Sequence, residues 1–566
     1  MPEEYEGRLE LTWTNKHLCL LAAEDGTYEW VPSADYRVAE VRLLDDVAAF
    51  GEVDSKRASD NLLIRGDALS ALTSLAKLPE FAASFVGKVK LVYLDPPFNT
   101  QQSFLQYDDA LEHSVWLTMM RDRLVQIKDL LADDGSVWVH LDDAEMAYCR
   151  VMMDEVFGRN CFVACITWRS TDNSNNDAQQ FSQDTNYILV YARNPDWSSN
   201  RLARSDEQAR HYANPDNDPR GPWFDGNPLG SPNPRENLRY DVVSPTTVIK
   251  PPPNGWRWKL ETLEAKMRTG EIRFSEDGRR IIRRTYLADQ GNLPPSTLWA
   301  DIEVTGSNRQ AKYELKRLFN LPSAQLFNTP KPERLMERII QIATDPGDLV
   351  LDCFLGSATT AAVAHKLGRR WVGIERSRET IDVYALPRLS KVIAGEDAGG
   401  ITESCEYEGG GGFRVLDVAA SMFEDVGGLV LLADWATNGK LQEATAAQLQ
   451  FAFAVDAPFC GRRGRRRLAV IDGLVNEGVV RLLASALDNS ERLVVCGTAI
   501  DPAAGEVLRD LVPGSSVRKI PSTLLDEYRR AQWVPRIGAV GNGPIKPEPV
   551  VEAAASADTS AVVAVS

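Results

Sequence analysis

The run Val89-Lys90-Leu91-Val92-Tyr93-Leu94 is apolar and rich in β-branched and aromatic residues, and it stops abruptly at Asp95-Pro96-Pro97-Phe98. It reads as a buried strand whose tip has been made rigid. Two consecutive prolines fix their own φ and restrict the residues before them, so Asp95 and Phe98 are presented in a nearly predetermined geometry. A carboxylate and a backbone carbonyl held beside an aromatic face can grip a planar group that bears an amine. The same residues also suit a plain strand that ends at a proline turn, and only the rest of the chain chooses between the two.

Upstream, Asn61-Leu62-Leu63-Ile64-Arg65 predicts a strand, and Gly66-Asp67 opens a helix over 70–78. Downstream, residues 114–131 carry apolar side chains at helical spacing and are followed by Asp133-Asp134-Gly135; a strand over 136–141, a helix over 144–157 and a strand over 161–168 come next. Strands that alternate with helices predict a mostly parallel sheet covered on both faces. Residues 1–58 hold short alternating segments and read as a β-rich preamble to this half, 59–168.

After a long interruption, Phe327-Asn328-Thr329-Pro330-Lys331-Pro332 leads into a helix over 333–343 and a strand, Leu349-Val350-Leu351-Asp352. The turn Cys353-Phe354-Leu355-Gly356-Ser357-Ala358 follows, then a helix through Leu367 and a strand that ends in Glu375. This is the layout of a nucleotide-type site at the carboxyl ends of parallel strands. The turn permits close backbone approach, and Glu375 can accept bonds from two ribose hydroxyls. Neither a dinucleotide fingerprint nor a P-loop is present, so a cofactor with a ribose and no phosphate fits better.

Between the halves, residues 169–325 are polar and rich in proline and glycine, apart from one clear strand over 187–192. Long loops of this kind are usually functional or mobile. Within them Arg257, Lys259, Arg279, Arg280, Arg283 and Arg284 gather near Trp256 and Trp258. A basic patch with interleaved aromatics suits a nucleic-acid surface, and equally a solvated charged helix and hairpin. Four glycines at 409–412 mark a boundary, beyond which 413–540 alternates strands and helices as a small α/β unit with no catalytic set. Its Gly461–Arg467 stretch fits either a phosphate-binding loop or a solvated linker. Residues 541–566 are of low complexity and are expected to be disordered.

A net charge of −17 argues against a protein that coats nucleic acid indiscriminately, and leaves room for a basic groove. The eight cysteines and five histidines are dispersed, without zinc-ligand spacing, which implies no metal site and a reducing compartment. No run approaches a membrane span and the acidic start lacks an apolar signal segment, so a cytoplasmic protein with no membrane contact is expected.

Taken together and in this order, the Asp95-Pro96-Pro97-Phe98 tip, Asp352-Cys353-Phe354-Leu355-Gly356-Ser357 and Glu375 resemble the amino-group DNA methyltransferases of the β arrangement. In that family the catalytic motif precedes the cofactor motif, and a target-recognition region lies between them. The likeness is greatest to modification subunits of type III restriction systems and their solitary or helicase-associated relatives. It spans 60–415, including Gly66-Asp67-Ala68-Leu69 and Gly410-Gly411-Gly412-Phe413-Arg414. The resemblance implies a doubly wound, mostly parallel, Rossmann-like α/β domain with the recognition region inserted at 169–325 and a cofactor-binding half at 326–408; the small C-terminal α/β domain lies beyond it. It further implies that Asp95, Pro96, Pro97 and Phe98 form the catalytic loop. Asp352, Phe354, Gly356, Ser357 and Glu375 would hold S-adenosylmethionine, with Asp67, Ala68, Lys331 and Pro332 lining the same pocket. Double-stranded DNA is the implied partner, with a restriction or helicase subunit, or a second copy of the chain, as further candidates. The sequence departs from the family at Ala358, where a second glycine is usual, and at Phe98, where tyrosine is commoner.

The chemistry of the residues agrees. An exocyclic amine is a poor nucleophile because its lone pair is delocalised into the ring. If the Asp95 carboxylate and the Pro96 carbonyl accept its two hydrogens, the nitrogen can pyramidalise toward a methyl donor. Phe98 would stack on a base swung out of the duplex. Through the family, Asp at the head of the loop points to adenine N6. The alternatives are cytosine N4, an RNA base, or a DNA-binding specificity subunit with a decayed pocket. Retention of Asp95, Asp352 and Glu375 at three strand ends weighs against decay.

Overall fold

Ten strands make the central sheet of the computed structural model, which describes residues 10–22, 27–99, 102–103, 108–109, 112–226, 229–322 and 325–530. In chain order they are β1 (Leu44–Gly51), β2 (Asn61–Arg65), β3 (Val89–Leu94), β4 (Leu131–Leu141), β5 (Phe162–Arg169), β6 (Thr185–Ala192), β7 (Leu298–Trp299), β8 (Leu349–Asp352), β9 (Arg370–Glu375) and β10 (Gly412–Val418). Across the sheet they run β7-β5-β6-β4-β3-β8-β9-β2-β10-β1. Only β1 and β6 oppose their neighbours, pairing antiparallel with β10 and with β4 and β5. The expected mostly parallel, doubly wound sheet is present.

The sheet is covered on both faces, and the period of two along each strand shows how. In β2, Leu62 and Ile64 join a core with Leu72 and Leu75 of α1 (Ala68–Lys77) and with Trp116 and Leu124 of α3 (His113–Leu130), which is separated from α1 in sequence by α2 (Pro79–Phe85). Leu63, pointing the other way, joins Leu335 and Ile339 of α6 (Glu333–Ala343) and Ala362 of α7 (Thr359–Lys366). The helix α4 (Met146–Phe157) lies on the first face; α5 (Asn308–Phe319) and α8 (Leu386–Ile393) complete the set that frames the site.

Strand order reverses between β3 and β8. The chain leaves β3 toward β4 on one side and leaves β8 toward β9 on the other, so a crevice opens at their carboxyl ends. Asp95 follows one strand tip, and Asp352 and Glu375 occupy two others.

Three boundaries differ from those read in the sequence. The preamble, 1–58, contributes β1 to the sheet edge, where it pairs with β10 from Val418↔Leu44 to Gly412↔Gly51. The pairing is long-range, so no local pattern reports it. The glycines at 409–412 lead into β10, whose first residue is Gly412 and which belongs to the central sheet by its parallel pairing with β2, and so do not end that domain. The strand β6, inside 169–325, is also a sheet strand. What protrudes is 193–297, with a three-stranded sheet (Trp223–Asp225, Ile281–Tyr286, Ile272–Phe274), the helix Leu260–Arg268 and a small core of Val242, Trp256, Leu263 and Ile272.

The C-terminal unit carries a five-stranded sheet, with Arg466–Val475 and Arg492–Ile500 parallel at its centre. It is docked on the N-terminal segment: Gln448 donates to the Val41 carbonyl at 2.7 Å and accepts from the Val41 amide at 2.9 Å. The Gly461–Arg467 stretch is a β-hairpin paired Arg463↔Arg466, not a linker, and Arg467 is ion-paired to Asp456. The expected disordered tail, 541–566, lies outside the described residues. Among the described residues no helix is long and apolar enough to cross a membrane.

Candidate active site

The tip of β3 is held by bonds that its own sequence does not announce. The Trp116 indole on α3 donates to the Pro97 carbonyl at 2.7 Å, and the side chain of Asn99, a residue with a φ of +63°, donates through Nδ2 to Glu145 at 2.7 Å. Asn is among the residues that tolerate this left-handed conformation best. Phe98 is thereby held between two fixed neighbours. Behind it, buried His140 on β4 stacks on Phe98 with ring centroids 5.7 Å apart, meets Trp168 edge-on at 5.2 Å and shares a 2.9 Å hydrogen bond with the Tyr93 hydroxyl. Burial first, and then the Lys331 charge, push the His140 imidazole well below the ordinary histidine range. It is a neutral ring supporting another ring.

The turn after β8 is shaped by conformation. Gly356 has a φ of +52°, and a Cβ there would come within 3.1 Å of the Phe327 ring. Ala358 also adopts a left-handed conformation, at +62°, as the N-cap of α7. The Glu375 carboxylate ties the turn to β9: Oε2 accepts from the Gly356 amide at 2.9 Å and Oε1 from the Ser377 amide at 2.8 Å. The Arg376 backbone also bonds this carboxylate, so capacity remains for one further donor. Asp352 is buried at the end of β8, where desolvation raises its carboxyl to about 7 in spite of bonds from Thr360 and the Phe354 amide.

Asp95, Pro96, Pro97, Phe98, Lys331, Asp352, Phe354, Gly356, Ser357 and Glu375 all line one cavity of about 320 Å³. The catalytic and cofactor sets inferred above therefore face each other across the crevice. Lys331 was assigned to the cofactor, yet its ammonium sits 2.5 Å from Asp95 Oδ2 and 5.1 Å from the centre of the Phe98 ring.

The lining does not include Asp67, Ala68 or Pro332. Asp67 instead caps α1, accepting from the Leu69 amide at 2.8 Å, and binds Arg123 at 3.0 Å; the Arg123 guanidinium lies 5.8 Å from the Phe354 ring centre. Ala68 is the buried first residue of α1, and Pro332 is the N-cap of α6.

Several supporting residues were not singled out in the sequence. Arg388 of α8 donates to the Ser357 carbonyl at 3.3 Å and to Thr359 Oγ1 at 2.8 Å, and is paired with Glu333 at 2.8 Å. Glu333 also receives Lys366, and its amide bonds Glu314 of α5 at 3.1 Å. All of these side chains are buried or nearly so, and burial followed by the Glu333 charge lifts Glu314 to about 7. A buried ion cluster thus lies under the turn. Isolated Arg and Glu residues in amphipathic helices carry no signal of such a role.

The basic residues of the protruding segment divide. Arg257, Lys259, Arg279 and Arg280 are exposed, whereas Arg283 is half-buried and bonded to Glu271 at 3.0 Å. Arg284 is buried, bonded to Asp218 at 2.5 Å and ion-paired to Asp216, with its guanidinium over Trp223. Its charge is consumed within the fold, which removes it from the predicted nucleic-acid surface. A concavity of about 450 Å³ is lined by Arg279, Arg280 and Arg283 together with Trp256 and Asp225.

A family model described as DNA methylase, N6_N4_Mtase, matches residues 89–386. The probable type III restriction-modification enzyme HindVI Mod subunit of Haemophilus influenzae is 30% identical over 447 residues, 66% of this chain and 56% of its own length. The type II methyltransferase M.EcaI of Enterobacter cloacae is 30% identical over 299 residues, 51% of this chain and 62% of its own. The type III restriction-modification enzyme StyLTI Mod subunit of Salmonella typhimurium is 29% identical over 335 residues, 54% of this chain and 49% of its own. The chain spans roughly half to three-fifths of the length of these relatives.

Proposed function

Because the chain belongs to the N6/N4 family of DNA methylases, we propose that it methylates the N6 amine of an adenine swung out of double-stranded DNA, using S-adenosylmethionine. The observation that carries this reading is the meeting of the Asp95–Phe98 loop with the Gly356 turn and Glu375 in one cavity. The cavity suits the cofactor in its lining: Glu375 keeps an acceptor site for a ribose hydroxyl, the Gly356 turn admits a close ligand, and Asp352 can meet positive charge.

S-adenosylmethionine supplies a methyl group activated on a sulfonium. The chain does the rest. Asp95 and the Pro96 carbonyl take the two amine hydrogens, which frees the nitrogen lone pair; Phe98, backed by His140, stacks on the base and excludes water. The proton shed by the amine on methylation would pass to the Asp95 carboxylate and on to water, with S-adenosylhomocysteine as the other product. Arg257, Lys259, Arg279 and Arg280 would track DNA phosphates, consistent with a locally basic surface on an acidic chain. We place the enzyme in the cytoplasm, within a restriction-modification or phage-defence system, acting as a homodimer or with a restriction or helicase subunit.

The test is incubation with tritiated S-adenosylmethionine and unmethylated bacteriophage DNA, followed by nucleoside analysis. Label in N6-methyl-2′-deoxyadenosine is expected. Label in N4-methylcytosine would change the base assignment, and no label would reject the enzyme.

A further inference from the structure

We propose, on the basis of the function inferred above, that the Lys331 ammonium is a stand-in for the target amine, holding the Asp95 carboxylate and the Phe98 face until an incoming base displaces it. A flipped adenine needs two things from this loop, an acceptor for its amine and a ring to stack on. Lys331 takes both with one group, 2.5 Å from Asp95 Oδ2 and 5.1 Å from the Phe98 centroid, on a side chain only 8% exposed.

Charge makes this pose unsuited to the chemical step. Methyl transfer puts positive charge on the acceptor nitrogen, and the carboxylate beside it stabilises that charge only if it is not already neutralised. An ammonium in contact with Asp95 cancels that field and adds a like charge at the place where the new one develops. The pair therefore belongs to the state without a base and has to open before transfer.

The surrounding chain says which part moves. Lys331 stands between Pro330 and Pro332, which hold the backbone in extended conformations. Withdrawal falls to the four-carbon stem, whose rotamers are numerous and whose head is readily hydrated. In the closed pose the ammonium keeps a carboxylate in the crevice paired, and it favours bases that offer both an amine and a stacking face.

Lys331→Met and Lys331→Arg separate this role from a fixed positioning role, with unmethylated bacteriophage DNA and saturating tritiated S-adenosylmethionine as probes. Removing the competitor lowers the KM for DNA at least threefold in Lys331→Met. Arginine, which binds a carboxylate through two parallel bonds, raises it at least threefold. If instead Lys331→Met loses tenfold or more in kcat with KM unmoved, and Lys331→Arg restores the wild-type rate, the stand-in is overturned and Lys331 is a permanent orienting partner. Should Lys331→Met not fold, the arginine variant decides alone: a raised KM supports displacement, and an unchanged one rejects it. Absence of label with the wild-type protein rejects the proposed function itself.

Discussion

Glu375 accepts the Gly356 amide at 2.9 Å, so the carboxylate that ends β9 also fixes the turn that follows β8. One side chain thus shapes the Gly356 turn and faces the cavity it forms. Glu375→Gln retains the length and one acceptor and should weaken S-adenosylmethionine binding about tenfold; Glu375→Ala should weaken it about a hundredfold, in line with hydrogen bonds to a charged group. Calorimetry reads both, and unchanged affinity would contradict the ribose assignment.

Asp95→Ala should retain cofactor binding and lose methyl transfer by a factor of about 10² to 10³, the usual cost of removing one preorganised group at a developing charge. Single-turnover label transfer measures it. Normal turnover would sink the mechanism.

Burial raises the Asp352 carboxyl to about 7, and the sign of the pH effect follows. In the folded protein the group stays protonated up to that value, whereas in the unfolded chain it ionises near the ordinary carboxylate value. Its contribution to stability is therefore greatest below the unfolded value and is lost as pH rises through about 7. Asp352→Asn should melt higher than the wild type at pH 8, by a few degrees, with the gap closing toward pH 5. Cofactor binding runs the opposite way: the ionised carboxylate meets the positive ligand better, so wild-type affinity should fall as pH drops below about 7, and Asp352→Asn should flatten that profile. Calorimetry in two buffers of different ionisation enthalpy detects the proton released.

Gly356→Ala should cost about 1 to 2 kcal/mol from its left-handed φ alone, and more because the new methyl meets the Phe327 ring at 3.1 Å. A lower melting temperature together with weakened cofactor binding is expected. Ala358→Gly is the control: relief of the left-handed alanine offsets the extra freedom of the unfolded chain, so stability should stay within about 1 kcal/mol of the wild type.

The basic residues separate by what they do. Arg279→Ala with Arg280→Ala should leave melting unchanged and reduce the slope of log affinity for DNA against log salt by about two. Arg284→Ala removes one partner of a buried pair and should destabilise the protruding segment by about 3 kcal/mol. Thermal melting and salt titrations of DNA binding distinguish them.

What the sequence made legible was local. The apolar run into Asp95 and the strands ending at Asp352 and Glu375 gave the sheet and three of its charged tips, because a buried strand and its breaker are written in consecutive residues. Partners distant in the chain were not legible. Lys331 meets Asp95 across 236 positions, and Arg284 meets Asp218 across 66. In sequence each arginine of the basic cluster looks alike, and only the folded chain shows that one has its acids already. Arg121, Asp122 and Arg123 sit buried in mid-helix, where charge ordinarily argues for solvent. Arg121 and Asp122 pair with each other and bond the Leu18 carbonyl and the Leu20 amide, and Arg123 bonds Asp67.

The protruding segment leaves the sheet after β6 and returns at β7, and both strands flank β5. β6 ends beside Phe162 and β7 begins beside Thr167, so the two ends are offset along β5, and the arms of the segment meet further out, where Leu202 and Leu293 exchange backbone bonds of 2.8 and 2.9 Å. A segment anchored at such a narrow doorway can grow, shrink or be exchanged wholesale while the register of the parallel strands is kept. The crevice depends on the register of the parallel strands, and the length of chain carried beyond the Leu202–Leu293 bridge leaves that register unchanged.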